Sequence, residues 1–127
     1  MRYLLDTNAL IGFLFNPSLL SDTAKKIVTG REDLGVSIMA LWEIGIKQSI
    51  GKINISSSAA DIENACEKLN VSIYPLKAIY IDVMRQLPQI HKDPFDRIMI
   101  AQAITEGLTF VTRDGIIPRY PGLNVVW

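Results

Sequence analysis

The chain has 127 residues, 49% of them apolar and 20% charged, and its thirteen basic and thirteen acidic side chains cancel at neutral pH. That size and mixture describe one globular domain over residues 1–127 and exclude intrinsic disorder, while the balanced charge gives the whole molecule no field that favours a nucleic acid or a membrane. Glu43 and Gln102 interrupt the richest apolar segments before they reach the roughly 18 residues of a membrane span. No leader is expected, and the single Cys66 excludes an internal disulfide and a cysteine-built zinc site, so the expected location is cytoplasmic.

Arg2 to Asp6 reads as a short strand, because Tyr3, Leu4 and Leu5 form the continuous apolar run that a strand buried on both faces requires. A helix follows from Thr7 to Phe15 and stops at Asn16-Pro17, and Ser21 or Asp22 caps a second that runs to Gly30. Leu34 to Ile38 is the next strand and Met39 to Ile50 the next helix, terminated by Gly51. Ser57 or Ser58 caps a helix in which Ile62, Cys66 and Leu69 make one apolar stripe, with Cys66 in the core. Val71 to Tyr74 is strand-like and stopped by Pro75, and Ile79, Val83 and Leu87 recur every four residues to make another amphipathic helix before Pro88.

The polar segment Gln89 to Lys92 reads as a loop in which His91, the only histidine, is solvated. Asp93-Pro94 opens a helix with a capping residue and a proline at the first helical position, and Gly107 closes it. Leu108 to Thr112 and Asn124 to Val126 complete the strands. Strands alternating with helices through short connections predict an α/β fold, a three-layer sandwich around a mostly parallel sheet.

Ligands of an open parallel sheet bind beyond the carboxyl ends of its strands, where Asp6 and Asp114 fall. Glu43 interrupts the apolar helical start Ala40-Leu41-Trp42-Glu43-Ile44, and Asp93 and Asp96, three apart, can face the same side of a helix start. Singly, each acid has a structural reading: turn residues at Asp6 and Asp114, a cap at Asp93, a dipole partner at Asp96, a helix rim at Glu43. As a set they would repel or protonate unless a cation neutralised them. Mg²⁺ or Mn²⁺ takes oxygen ligands and activates water for attack on phosphorus, so phosphodiester hydrolysis fits these parts.

A non-catalytic interaction protein stays open as a reading of the sequence, and two further alternatives fit less well. A receiver-like binding module wants paired acids after the first strand and a lysine after a late one, where this chain has Leu5-Asp6-Thr7 and Arg113. A phosphatase with an aspartate nucleophile wants a second aspartate at the position of Asn8. Ser-His-Asp chemistry and the glycine motifs of nucleotide sites have no support.

Four segments together resemble the PIN-domain family, and within it the VapC type of toxin ribonuclease, over Tyr3 to Trp127. They are Leu4-Leu5-Asp6-Thr7-Asn8, Leu41-Trp42-Glu43-Ile44 leading to Gly51-Lys52-Ile53, His91-Lys92-Asp93-Pro94-Phe95-Asp96-Arg97 with Ala101-Gln102-Ala103, and Val111-Thr112-Arg113-Asp114. The resemblance implies Mg²⁺- or Mn²⁺-dependent cleavage of single-stranded or looped RNA, with Asp6, Glu43, Asp96 and Asp114 as the catalytic, metal-binding acids. Thr7, Asn8 and Thr112 would orient those acids, and Asp93 belongs to the same pattern. It also implies a cognate antitoxin and a homodimer as partners. With five acids gathered in a pocket, the rest of the chain keeps eight against thirteen bases, a net +5. Lys47, Lys52, Lys92, Arg97 and Arg113 are the expected contacts to RNA phosphates.

Overall fold

The structure, a computed structural model, describes residues 2–30 and 33–127. Five strands, β1 (Tyr3–Leu5), β2 (Leu34–Ser37), β3 (Ser72–Tyr74), β4 (Thr109–Val111) and β5 (Asn124–Val126), form one sheet in the order β3-β2-β1-β4-β5, and every pairing is parallel. Six helices connect and cover them: α1 (Thr7–Leu14), α2 (Asp22–Gly30), α3 (Ile38–Ser49), α4 (Ala59–Lys68), α5 (Ala78–Gln86) and α6 (Pro94–Glu106). Every residue of β2 and β4 is buried, which requires helices on both faces of the sheet and gives the expected three layers.

The chain leaves β1 toward β2 and β3 on one side, then returns to place β4 and β5 on the other. A topological switch point therefore lies between β1 and β4, where connections diverge and open a crevice at the carboxyl ends of the strands. Register aligns the two ends, since Leu5 of β1 pairs with Val111 of β4 and the Asp6 N–H donates to the Val111 carbonyl at 3.1 Å.

The helix starts use the capping chemistry that the sequence offers. Ser37 caps α3, Ser58 and Asp61 form a reciprocal capping box on α4, and Asp93 caps α6 ahead of Pro94. Gly107 ends α6 with φ +66°, a left-handed conformation that a side chain would strain. Leu4, Leu5, Phe110 and Val111 of the two central strands, Leu10, Ala40 and Ile44 of α1 and α3, and Met99 and Ile100 of α6 belong to one buried cluster with Cys66. No helix among the described residues is long and apolar enough to cross a membrane.

Helix α5 differs from its sequence pattern. Its buried residue is Tyr80, whereas Ile79 is 50% exposed and Val83 and Leu87 are only partly covered. The Tyr80 hydroxyl donates to Glu106 Oε1 on α6 at 2.9 Å, and Tyr80 shares the inward face with Val83, Met84 and Leu87, which pack against the core, so of the expected stripe only Ile79 turns outward.

Candidate active site

Each of the acids is aimed by the element that carries it. Asp6 caps α1 as the chain turns out of β1: its Oδ1 accepts from the Ala9 N–H at 2.7 Å, and the side chain also accepts from Thr112 after β4. Glu43 faces inward from α3 and is 8% exposed. The Thr7 hydroxyl donates to its Oε1 at 2.6 Å and the Lys47 ammonium to its Oε2 at 2.8 Å, so both carboxylate oxygens are held. Asp93 Oδ1 accepts from the N–H groups of Phe95 and Asp96 at 2.8 and 3.3 Å, which turns Asp96 toward the crevice from the first turn of α6. Beyond β4, the Thr112 hydroxyl accepts from the Asp114 N–H at 3.1 Å and the Ile116 N–H donates to Asp114 Oδ1 at 2.8 Å.

These groups line one cleft of about 400 Å³, formed by Asp6, Thr7, Asn8, Glu43, Lys47, Asp93, Asp96, Arg113 and Asp114. Five carboxylates face two cations there, and Lys47 is already paired with Glu43. Burial pushes the Asp6 carboxyl up, with hydrogen bonds from Thr112 and Ala9 opposing and the charges of Glu43 and Asp114 adding to the rise. Asp96 is pushed up to about 7, first by burial and then by the neighbouring charge of Asp93. His91 Nε2 lies 3.3 Å from Asp96 Oδ2. Asp114 goes the other way: burial alone would raise it, but the bonds from His91 and from the Ile116 and Ile117 N–H groups hold it below the usual carboxylate range.

Crowded carboxylates with little hydrogen-bonding satisfaction at Asp96 could serve a hard divalent cation as oxygen ligands. Asp6, Asp96 and Asp114 fit that role as they stand, and Glu43 fits it once Lys47 gives way. The same cluster could also be read to include the imidazole, because single ligand atoms of His91, Asp96 and Asp114 all lie within 4.8 Å of one another.

Two sequence expectations are corrected here. His91 does not sit in solvent: its side chain is 12% exposed and its Nε2 lies 2.8 Å from Asp114 Oδ2. The signal available in the sequence was its position two residues before the cap Asp93, because a histidine there can accept the N–H of the residue that starts the helix. Arg97 is not a surface contact for RNA. It is 7% exposed, and its guanidinium donates to the carbonyls of Pro88 and Met84 at 2.9 and 3.0 Å and to the Tyr120 hydroxyl at 3.2 Å. A methylene-rich, permanently charged side chain placed on the inner face of α6 becomes a strut that satisfies carbonyls in the last turn of α5 and just beyond it. Replacing it, Arg97→Met, is expected to destabilise the fold by about 3 kcal/mol through orphaned carbonyls, as read by urea unfolding.

Of the other basic residues, Arg113 is exposed at the rim of the cleft, whereas Lys52 and Lys92 are exposed outside its lining. Thr112 is buried beneath the cleft and Asn8 is exposed at its mouth.

A parallel sheet with a carboxylate-lined crevice at its switch point defines an acidic-site α/β protein, and the model of one such family matches residues 3–123. The chain belongs to the PIN-domain family. Its fold is similar to that in the crystal structure of VapBC2 from Rickettsia felis bound to a DNA fragment from its promoter, with TM-score 0.72, 18% identity and coverage of 99% of this chain and 98% of that one. FitAcB from Neisseria gonorrhoeae gives TM-score 0.69 at 18% identity, covering 99% and 97%. DNA-bound VapBC from Salmonella typhimurium gives 0.66 at 16%, again covering 99% and 97%. A search of curated proteins returned no significant match.

Proposed function

We propose that the protein is a metal-dependent endoribonuclease and the toxin of a toxin–antitoxin pair. The observation that carries this reading is the convergence of Asp6, Glu43, Asp96 and Asp114, from four separate segments, on the crevice between β1 and β4. Membership of the PIN-domain family supports it. The antitoxin partner rests on the VapBC and toxin–antitoxin complexes among the similar structures. A homodimer and a cytosolic location belong to the same reading, and the buried thiol of Cys66 suits a reducing compartment.

Asp6, Asp96 and Asp114 would hold the Mg²⁺ or Mn²⁺, with Glu43 available beside them. The bound cation supplies charge neutralisation at the phosphate and a more acidic water. Asp96, whose oxygens are least engaged by protein donors, is placed to accept the proton of the attacking water. Thr7 and Lys47 keep Glu43 from swinging out, and Thr112 keeps Asp6 turned into the cleft. Arg113 at the rim offers a cation to the RNA backbone, which positions the strand without reading its sequence. The receiver-like alternative lacks its parts, since Asp6 stands alone after β1 and Arg113 follows β4 where a lysine is needed.

The deciding experiment incubates a small-RNA pool with the purified protein in Mg²⁺ or Mn²⁺, in EDTA, and with Asp6→Asn in parallel. Discrete fragments that require both the cation and Asp6 are expected. Fragments that persist in EDTA, or undiminished cleavage by Asp6→Asn, would overturn the reading.

A further inference from the structure

We infer that His91 is a positioning residue of the cleft, whose Nε2–H holds the Asp114 carboxylate in place opposite Asp96. The inference rests on reading the cleft as a divalent-cation site. The ring is fixed at both nitrogens. The Asp93 N–H donates to His91 Nδ1 at 3.1 Å. A ring that accepts at Nδ1 must carry its proton on Nε2, and a doubly protonated ring could not accept there. Nε2 lies 2.8 Å from Asp114 Oδ2 and 3.3 Å from Asp96 Oδ2, so Asp114 takes the stronger bond.

The segment that carries the ring is anchored as well. The His91 N–H donates to the Tyr120 hydroxyl at 2.8 Å, and the same hydroxyl accepts from Arg97 Nη1 at 3.2 Å. The buried guanidinium therefore holds the loop from which His91 reaches across to the far side of the crevice. Asp114 is gripped at both oxygens, by Ile116 N–H on Oδ1 and by His91 on Oδ2.

This geometry separates two roles that proximity alone confuses. The imidazole stands close enough to Asp96 and Asp114 to look like a third cation ligand. With Nδ1 accepting, however, Nε2 has no lone pair to give, and the ring serves a carboxylate ligand instead. Groups of this kind, hydrogen-bonded behind a ligand, change cation affinity by about 10- to 100-fold when removed.

The chain has a single histidine, so the two ring nitrogens give unambiguous ¹⁵N signals. The test records those signals in the full chain before and after saturation with Mg²⁺. It then titrates Mn²⁺ calorimetrically into the wild type, His91→Ala and His91→Gln, with circular dichroism as the check on folding. The expected ring is the Nε2-protonated tautomer, and it stays so with Mg²⁺ bound. Mn²⁺ affinity should fall about 10- to 100-fold in His91→Ala and recover in His91→Gln, whose amide can still donate. A ring that loses its Nε2 proton on Mg²⁺ binding would make His91 a direct ligand and overturn the proposal, as would wild-type affinity in His91→Ala. If the alanine variant does not fold, the ring signals and the glutamine variant decide. A wild-type protein that binds no Mn²⁺ removes the nuclease reading and this proposal with it, whereas wild-type binding that both variants share removes only the role of His91.

Discussion

Asp96→Asn is expected to cut RNA cleavage sharply and, in the same molecule, to make the metal-free fold more stable. The loss of activity follows from removing the acid with the least engaged oxygens in the cleft, and is expected to reach about 10²- to 10³-fold. The gain in stability follows from the charge. Burial and Asp93 push the Asp96 carboxyl up to about 7, while the unfolded chain holds it near 3.9. The folded state therefore binds the proton more tightly, and its stability falls as pH rises from about 4 to about 7. Above that window the penalty is complete, and it is removed when the residue cannot ionise. Because the Asp96 side chain is still 21% exposed, about 2 kcal/mol of the nominal effect should survive. Urea unfolding of both proteins at pH 4 and pH 8 checks this: equal stability at pH 4 with the variant ahead at pH 8 is the expected pair of results. A variant less stable than wild type at pH 8 would show that Asp96 serves the fold and not the cleft.

Mn²⁺ is expected to raise the unfolding temperature in proportion to its affinity for the cleft. At about a hundred times its dissociation constant, binding to the native state alone is worth about 2.7 kcal/mol, or about 10 °C for a domain of this size. The increment should shrink as pH falls below about 7, because the cation must then displace a proton from Asp96. Asp114 is held below the usual carboxylate range and does not impose the same barrier. Differential scanning at pH 8 and pH 6, with EDTA to reverse the shift, reads the effect. An unfolding temperature indifferent to Mn²⁺ at pH 8, or an increment that grows on acidification, would count against a carboxylate cation site.

The strands and helix caps were legible because their causes are local. Tyr3-Leu4-Leu5 reads as a buried strand and Asp93-Pro94 as a helix start, and the structure places β1 and α6 there. The convergence of Asp6 and Asp114 followed from a rule about parallel sheets once the strands were in place. The spacing of Ile79, Val83 and Leu87 reports the helix, and Val83 and Leu87 do pack on the core, but Ile79 misled because the Tyr80–Glu106 contact that turns Tyr80 inward joins residues far apart in the chain. Arg97 and His91 were misread for a related reason. Their surroundings come from the carbonyls of Met84 and Pro88, from Tyr120 and from Asp114, and no window around either residue contains that set.

The order of strands in the sheet ties the chemistry to the completion of folding. β1 acquires β4 as a neighbour only after more than a hundred residues have intervened, and the crevice does not exist until that pairing closes. Such distant closures come late, because chain entropy opposes them until other contacts reward them. Before then the acids are scattered along a chain with no pocket to concentrate them. A chain caught half-folded is therefore catalytically silent. By the same reasoning, local opening at the β1–β4 seam would extinguish the site while leaving the helices α3 and α4 and the strands β2 and β3 intact, so activity reports on that seam more sharply than helix content does.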